Sequence, residues 1–110
     1  MIIDFQNIEE KVIENFRGGE KSLALRAYAD ADNKIMMGRL EPGASVGLHK
    51  HVGNSEIVYV ISGSGKAVYN GETMRLEAGM CHYCPQDCEH TVINDSTEEI
   101  VFFAVVPEHK

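Results

Sequence analysis

Four side chains carry most of the chemistry this chain could perform: His49, His51, Glu56 and His90. Residues i and i+2 of a strand point to the same face, so His49 and His51 present two imidazoles side by side. Glu56 follows the short polar run Val52-Gly53-Asn54-Ser55. At the start of the next strand it returns as a hairpin neighbour and adds a carboxylate oxygen. His90 belongs to a later strand, which must pair nearby to close the group. Three neutral imidazoles and one carboxylate suit one divalent transition metal: Mn, Fe, Ni, Co, Cu or Zn. On a six-coordinate ion two positions stay open to water, substrate or dioxygen. The alternative is a metal-free network of hydrogen-bonded barrel residues. Burying three imidazoles and a carboxylate together is costly unless an ion or a complete network compensates. With a divalent cation the quartet carries a local charge of about +1, which favours an anionic ligand.

Other reactive groups are more scattered. Cys81-His82-Tyr83-Cys84 and Cys88 contain one Cys-x-x-Cys spacing, but a closed tetrahedral zinc site would need Cys88 and His82 to complete it around Pro85. The simpler reading is small buried hydrophobes. Cys88, two residues before His90, faces the metal only if its strand has already begun. One of Met36 and Met37 faces the interior, Arg39 either clamps a carboxylate or lies solvated near a strand end, and His109 reads as tail.

The elements that must position the quartet are mostly strands. Asn7 to Phe16 places Ile8, Val12, Ile13 and Phe16 near a helical stripe ahead of Gly18-Gly19, which predicts a short amphipathic helix. Strands are expected at 23–29 and 34–40, then at 45–51, 56–62, 65–70, 72–77, 80–84, 88–94 and 98–106. Asn70-Gly71 marks the clearest hairpin, because this pair tolerates the positive φ angles of a type I′ turn. Short strands at this spacing, with no helix long enough for a βαβ crossover, predict an all-β sandwich or barrel. Parity puts Ser45 and Gly47 on the face of His49 and His51, Val58 and Val60 on that of Glu56, and Val92 on that of His90. The pocket is therefore apolar around a polar centre and admits a small ligand. The last strand is apolar on both faces, with Val101, Phe103 and Val105 on one and Ile100, Phe102, Ala104 and Val106 on the other. Either a second subunit or the N-terminal helix covers its outer side.

With 110 residues the chain is one domain's worth, 1–110, with room for a real core and none for a DNA-binding appendage. Its formal net charge of −7, from 17 acidic and 10 basic side chains, argues against nucleic acid or an anionic membrane surface as partner. No apolar run approaches the roughly 20 residues that span a bilayer. Met1-Ile2-Ile3-Asp4-Phe5 lacks the basic start of an export signal. A cytoplasmic location with three reduced thiols is the expectation.

The spacing also resembles a known family. Gly43, His49, His51, Glu56 and Gly63 match the first motif of the cupins, and Gly79, Pro85, His90 and Asn94 match the second; the motifs span 43–63 and 79–94. Asp87 occupies the second motif's other glycine position, a departure that bears on the turn more than on the ligands. The resemblance implies a single cupin-type jelly-roll (double-stranded β-helix) barrel with a short N-terminal helix, a metal in the barrel mouth and a homodimer. It is compatible with dioxygenase, decarboxylase, lyase, isomerase or epimerase chemistry on a small oxygen-rich metabolite. Tyr28, Tyr83, Cys88 and Gln86 are then the available acid, base or orienting groups. A metal-dependent enzyme is slightly favoured, and a non-enzymatic small-molecule or metal sensor is the alternative.

Overall fold

Alternation of apolar and polar residues organises nearly the whole chain into strands, which the computed structural model describes from Met1 to Lys110. In chain order they are β1 (Lys11–Glu14), β2 (Ser22–Ala29), β3 (Asn33–Leu40), β4 (Ser45–Lys50), β5 (Glu56–Ser62), β6 (Ser64–Tyr69), β7 (Glu72–Glu77), β8 (Cys81–Cys84), β9 (Glu89–Ile93) and β10 (Ile100–Pro107). They form two antiparallel sheets, a six-stranded one ordered β1-β2-β3-β10-β5-β8 and a four-stranded one ordered β4-β9-β6-β7. This architecture is consistent with a jelly roll. The inward residues of both sheets make one core that includes Leu23, Leu25, Met36, Leu40, Val58, Val60, Leu76, Val92, Ile100 and Phe102. Of the methionine pair, Met36 faces this interior and Met37 is half-buried on the other side.

The expected N-terminal helix is not formed. Residues Phe5–Asn7 and Phe16–Gly18 make single 3-10 turns, with β1 between them. An isolated helix of about ten residues is marginal, whereas Lys11-Val12-Ile13-Glu14 gains a full ladder against β2, from Lys11↔Leu25 to Glu14↔Ser22. Ile13 and Phe16 still reach the core, so the apolar stripe does its work from a strand and a turn. Asp4 caps the start of the first turn, its carboxylate accepting from the Gln6 backbone N–H at 3.1 Å and the Asn7 side-chain amide at 2.8 Å.

The hairpin at Asn70-Gly71 forms as its composition requires, with φ of 46° and 84° between Tyr69 and Glu72, which face each other across the ladder. Asp87 takes the left-handed conformation, φ 69°, at the position where the second motif has glycine. On β10, Ile100, Phe102 and Ala104 are buried, while Val101, Phe103 and Val105 remain half-buried on the outer face. The cover there is one aromatic contact from the N-terminal turn, Phe5 edge-on to Phe103 with ring centres 6.2 Å apart. Arg39 lies on this outer surface and clamps two carboxylates, donating to Glu10 at 2.9 and 2.5 Å and to Glu99 at 2.9 Å.

Candidate metal centre

The four expected ligand residues come together where the two sheets face each other. His49 and His90 are direct partners in the β4–β9 ladder. His51 lies just past the end of β4, its backbone N–H donating to the Cys88 carbonyl at 3.0 Å. Glu56 does not return as a hairpin neighbour of β4. It opens β5 in the opposite sheet, paired with Cys84 of β8. The 51–56 connection therefore crosses between the sheets, and the quartet spans the gap from both sides.

Parity along β4 also differs from the simple alternation. The register shifts between Val46 and His49, where Gly47 and Leu48 on β4 stand opposite the single Thr91 on β9, one extra residue in the ladder. This bulge puts Val46, in place of Ser45, on the cavity face beside His49. Gly47 sits at the irregularity because a Cβ there would collide with the carbonyl oxygen of Arg17. Its own carbonyl accepts from His49 Nδ1 at 2.6 Å.

Every histidine of the quartet is held from behind through Nδ1. His49 donates to Gly47, His51 Nδ1 lies 2.7 Å from Asn54 Oδ1, and His90 Nδ1 lies 2.8 Å from His82 Nε2. With Nδ1 so engaged, the three Nε2 atoms turn inward as lone-pair acceptors. They stand 3.2 Å (His49–His51), 3.0 Å (His51–His90) and 3.2 Å (His90–His49) apart. Glu56 Oε1 is 3.3 Å from His51 Nε2 and 3.0 Å from His90 Nε2. Acceptors so disposed cannot all satisfy one another, and a cation among them satisfies all four. Two donors at about 2.1 Å from an ion are about 3.0 Å apart at a right angle and about 3.4 Å apart at the tetrahedral angle. The nitrogen spacings fall within this range, so the donor set suits a divalent ion.

The electrostatics agree with that fit. Burial alone would raise the Glu56 pKa, but in the ion-free protein Nε2–H groups of His51 and His90 donate to it and bring it down to about 2, so the carboxylate is ionised and an ion takes the place of those protons. His51 is raised by its hydrogen bond with Glu56, against burial and the more distant Arg17 charge. His49 is lowered, chiefly by burial. Burial also pushes His82 down to about 4, which keeps its ring neutral and able to accept from His90.

A cavity of about 170 Å³ opens on the quartet. Met36, Val46, Val58, Val92 and Phe102 provide apolar wall, while Arg17, Lys34, Asn54 and Glu108 are its polar groups beyond the quartet. The four acid, base or orienting candidates do not line it. Tyr28 bonds to Asp30 at 3.1 Å, Tyr83 is 54% exposed on the outer face of β8, Gln86 is exposed, and Cys88 lies 3.5 Å from the Tyr69 hydroxyl, just before β9 begins. Nor do the cysteines form a cluster, since Cys81 and Cys84 point to opposite faces of β8, exposed and buried.

His82, Asn54 and His109 are functional neighbours that simple ligand spacing does not single out. The alternation of β8 was the available signal for His82, because it places His82 and Cys84 together on the buried face. His109 is not free tail: its Nε2 lies 2.9 Å from Ser55 Oγ and its backbone N–H donates to Gly53 at 2.8 Å. The chain end thereby braces the loop that carries Asn54.

Fold and site together define a cupin. The cupin domain family matches residues 36–106, and the chain belongs to that family. It is 30% identical over 112 residues to an oxalate-binding protein of Thermotoga maritima, covering 96% of this chain and 93% of the relative. A crystal structure of a predicted oxalate decarboxylase from Thermotoga maritima superposes with a TM-score of 0.92 at 28% identity, covering 98% of this chain and 99% of that one. KdgF from Halomonas sp. shares the fold at a TM-score of 0.77 and 19% identity, with 100% and 94% coverage.

Proposed function

We propose that this cupin holds one divalent transition-metal ion through His49, His51, Glu56 and His90, and binds a small carboxylate of the size of oxalate there. The convergence of three Nδ1-anchored imidazoles and an ionised carboxylate carries this reading. The relative named as an oxalate-binding protein supports the ligand class. When bound, the ion supplies Lewis acidity and coordination positions for an oxygen-rich anion. The chain's own residues do the rest. Gly47, Asn54 and His82 fix the ring orientations, Glu56 supplies the only negative charge of the quartet, and Val46, Val58 and Phe102 restrict water.

Two readings of the outcome remain, decarboxylase- or lyase-type turnover and binding alone. Binding alone is favoured by the positions of Tyr28, Tyr83, Gln86 and Cys88 outside the cavity; Glu108 is the carboxylate besides Glu56 that lines it. The proposal includes a homodimer in the cytoplasm, supported by the apolar outer face of β5, β8 and β10 and by three free thiols.

Elemental analysis with calorimetry tests it. Protein loaded with Mn(II) is expected to hold close to one ion per chain and to bind oxalate, and His51→Ala to lose most of both. Protein that takes up no metal after supplementation sinks the proposal. Release of CO2 or formate from oxalate by the loaded protein selects turnover over binding.

A further inference from the structure

The cavity mouth carries a cation that the quartet does not explain. Of the four arginines, three are engaged. Arg26 donates to the Phe5 and Ile8 carbonyls at 3.3 and 2.6 Å, Arg39 is clamped by Glu10 and Glu99, and Arg75 meets Asp95 at 2.7 Å. Arg17 makes no hydrogen bond or ion pair, and it is the one arginine lining the cavity above the quartet. Its guanidinium lies 5.8 Å from the centre of the Phe16 ring, a cation–π contact that leaves its N–H donors uncommitted.

The backbone holds this residue where its intrinsic preference would not. Arg17 has φ 55°, in the left-handed region that side chains rarely adopt, between Asn15 at 53° and Gly18 at 81°. Such strain persists only where surrounding structure imposes it, and here β4 does so. The Arg17 carbonyl packs directly on Gly47, and Gly19 packs on the Ser45 carbonyl, each approach too close for a Cβ. Beyond the turn, Ser45 and Glu20 exchange hydrogen bonds at 2.9 Å, backbone N–H to carbonyl one way and backbone N–H to hydroxyl the other. The same Gly47 orients His49 through its carbonyl. One backbone contact therefore both orients a ligand imidazole and places the Arg17 backbone beside the cavity.

We propose that Arg17 determines ligand specificity by taking the second carboxylate of a small dicarboxylate whose first carboxylate sits at the metal centre. A planar guanidinium fork matches a carboxylate in shape as well as charge. The apolar walls, Phe16 and Val46 among them, leave little else on that side to satisfy a second anionic group; exposed Lys34 adds positive charge at the rim. This inference rests on the metal–carboxylate reading above, and its test separates the two.

Mn(II)-loaded wild type, Arg17→Gln and Arg17→Lys are titrated calorimetrically with oxalate, malonate and acetate, and metal content is measured on each. Arg17→Gln is expected to keep its metal and its acetate affinity within about twofold, while binding oxalate and malonate at least about tenfold more weakly, the loss of a charge-assisted hydrogen bond. Arg17→Lys recovers part of the difference. Unchanged dicarboxylate affinity in Arg17→Gln overturns the role of Arg17 while leaving the metal–carboxylate reading intact. Loss of metal in Arg17→Gln overturns it too, by making the residue structural. Loaded wild type that binds none of the three acids overturns both readings.

Discussion

His82 stands directly behind His90, with His82 Nε2 2.8 Å from His90 Nδ1 and both rings buried. His90 turns its Nε2 toward the quartet, so its Nδ1 carries the proton and neutral His82 accepts it. Partners of this kind fix ring orientation and raise ligand basicity; removing one typically weakens metal binding about 10- to 100-fold. His82→Leu is expected to fall in that range in a competition titration against a chelator. His82→Gln, whose side-chain oxygen also accepts, is expected to retain more of the affinity. Equal affinity in wild type and His82→Leu would show that the contact is packing only.

The same burial gives the metal-free protein a defined pH dependence. Histidine has an ordinary value of 6.5, and His82 in the fold is lowered to about 4. Between those values the unfolded chain binds more protons than the folded one, so stability falls as pH drops through this window. Glu56 behaves as a stabilising carboxylate: its folded value of about 2 lies below 4.5, so its contribution is present above 4.5 and is lost as pH falls toward 2. The metal-free wild type should therefore lose melting temperature between pH 6.5 and 4.5, before the Glu56 contribution begins to be lost. His82→Gln, lacking the titrating ring, should lose less. Parallel wild-type and variant curves would remove His82 from the explanation.

Thiol chemistry separates the three cysteines. Burial pushes Cys84 up to about 11, helped by the nearby Cys88 and Glu56, whereas Cys81 is exposed on the opposite face of the same strand. Since the thiolate is the nucleophile, iodoacetamide at pH 8 should label Cys81 readily and Cys84 hardly at all, as read by peptide mass spectrometry. Cys84→Ala should keep its metal. Loss of metal in that variant, with His51→Ala unaffected, would revive a cysteine site.

The parts legible from sequence were those governed by local rules. Asn70-Gly71 announces its turn through backbone freedom, and His49, His51, Glu56 and His90 announce a ligand set through donor chemistry. What eluded local rules depended on partners distant in the chain. Residues 11–14 are strand because β2 offers a ladder, information absent from the Ile8-to-Phe16 stripe. The β4 bulge depends on Gly47 meeting Arg17, 30 positions away, and it reverses the parity that would have put Ser45 in the cavity. His109 braces Ser55 across 54 positions, a contact that neither residue type signals.

The outer face of the six-stranded sheet raises the question of what covers it. Ladder partners align Tyr83, Ile57, Val105, Ile35 and Tyr28 in one row, and Cys81, Tyr59, Phe103 and Met37 in the next. Ile57, Tyr59 and Tyr83 are 39%, 43% and 54% exposed, and Phe5 covers only part of the second row. Contiguous apolar rows across five and four strands are the pattern of an interaction surface more than of a solvated one. A second copy applied to this face would bury both rows at once and leave the cavity, on the other side of the sheet, accessible. Sedimentation at micromolar concentration is expected to give a dimer, and Tyr59→Lys, which places charge in the middle of the second row, to shift it toward monomer with metal content unchanged. A wild type that sediments as a monomer would mean that these rows are solvated, with Phe5 their main cover.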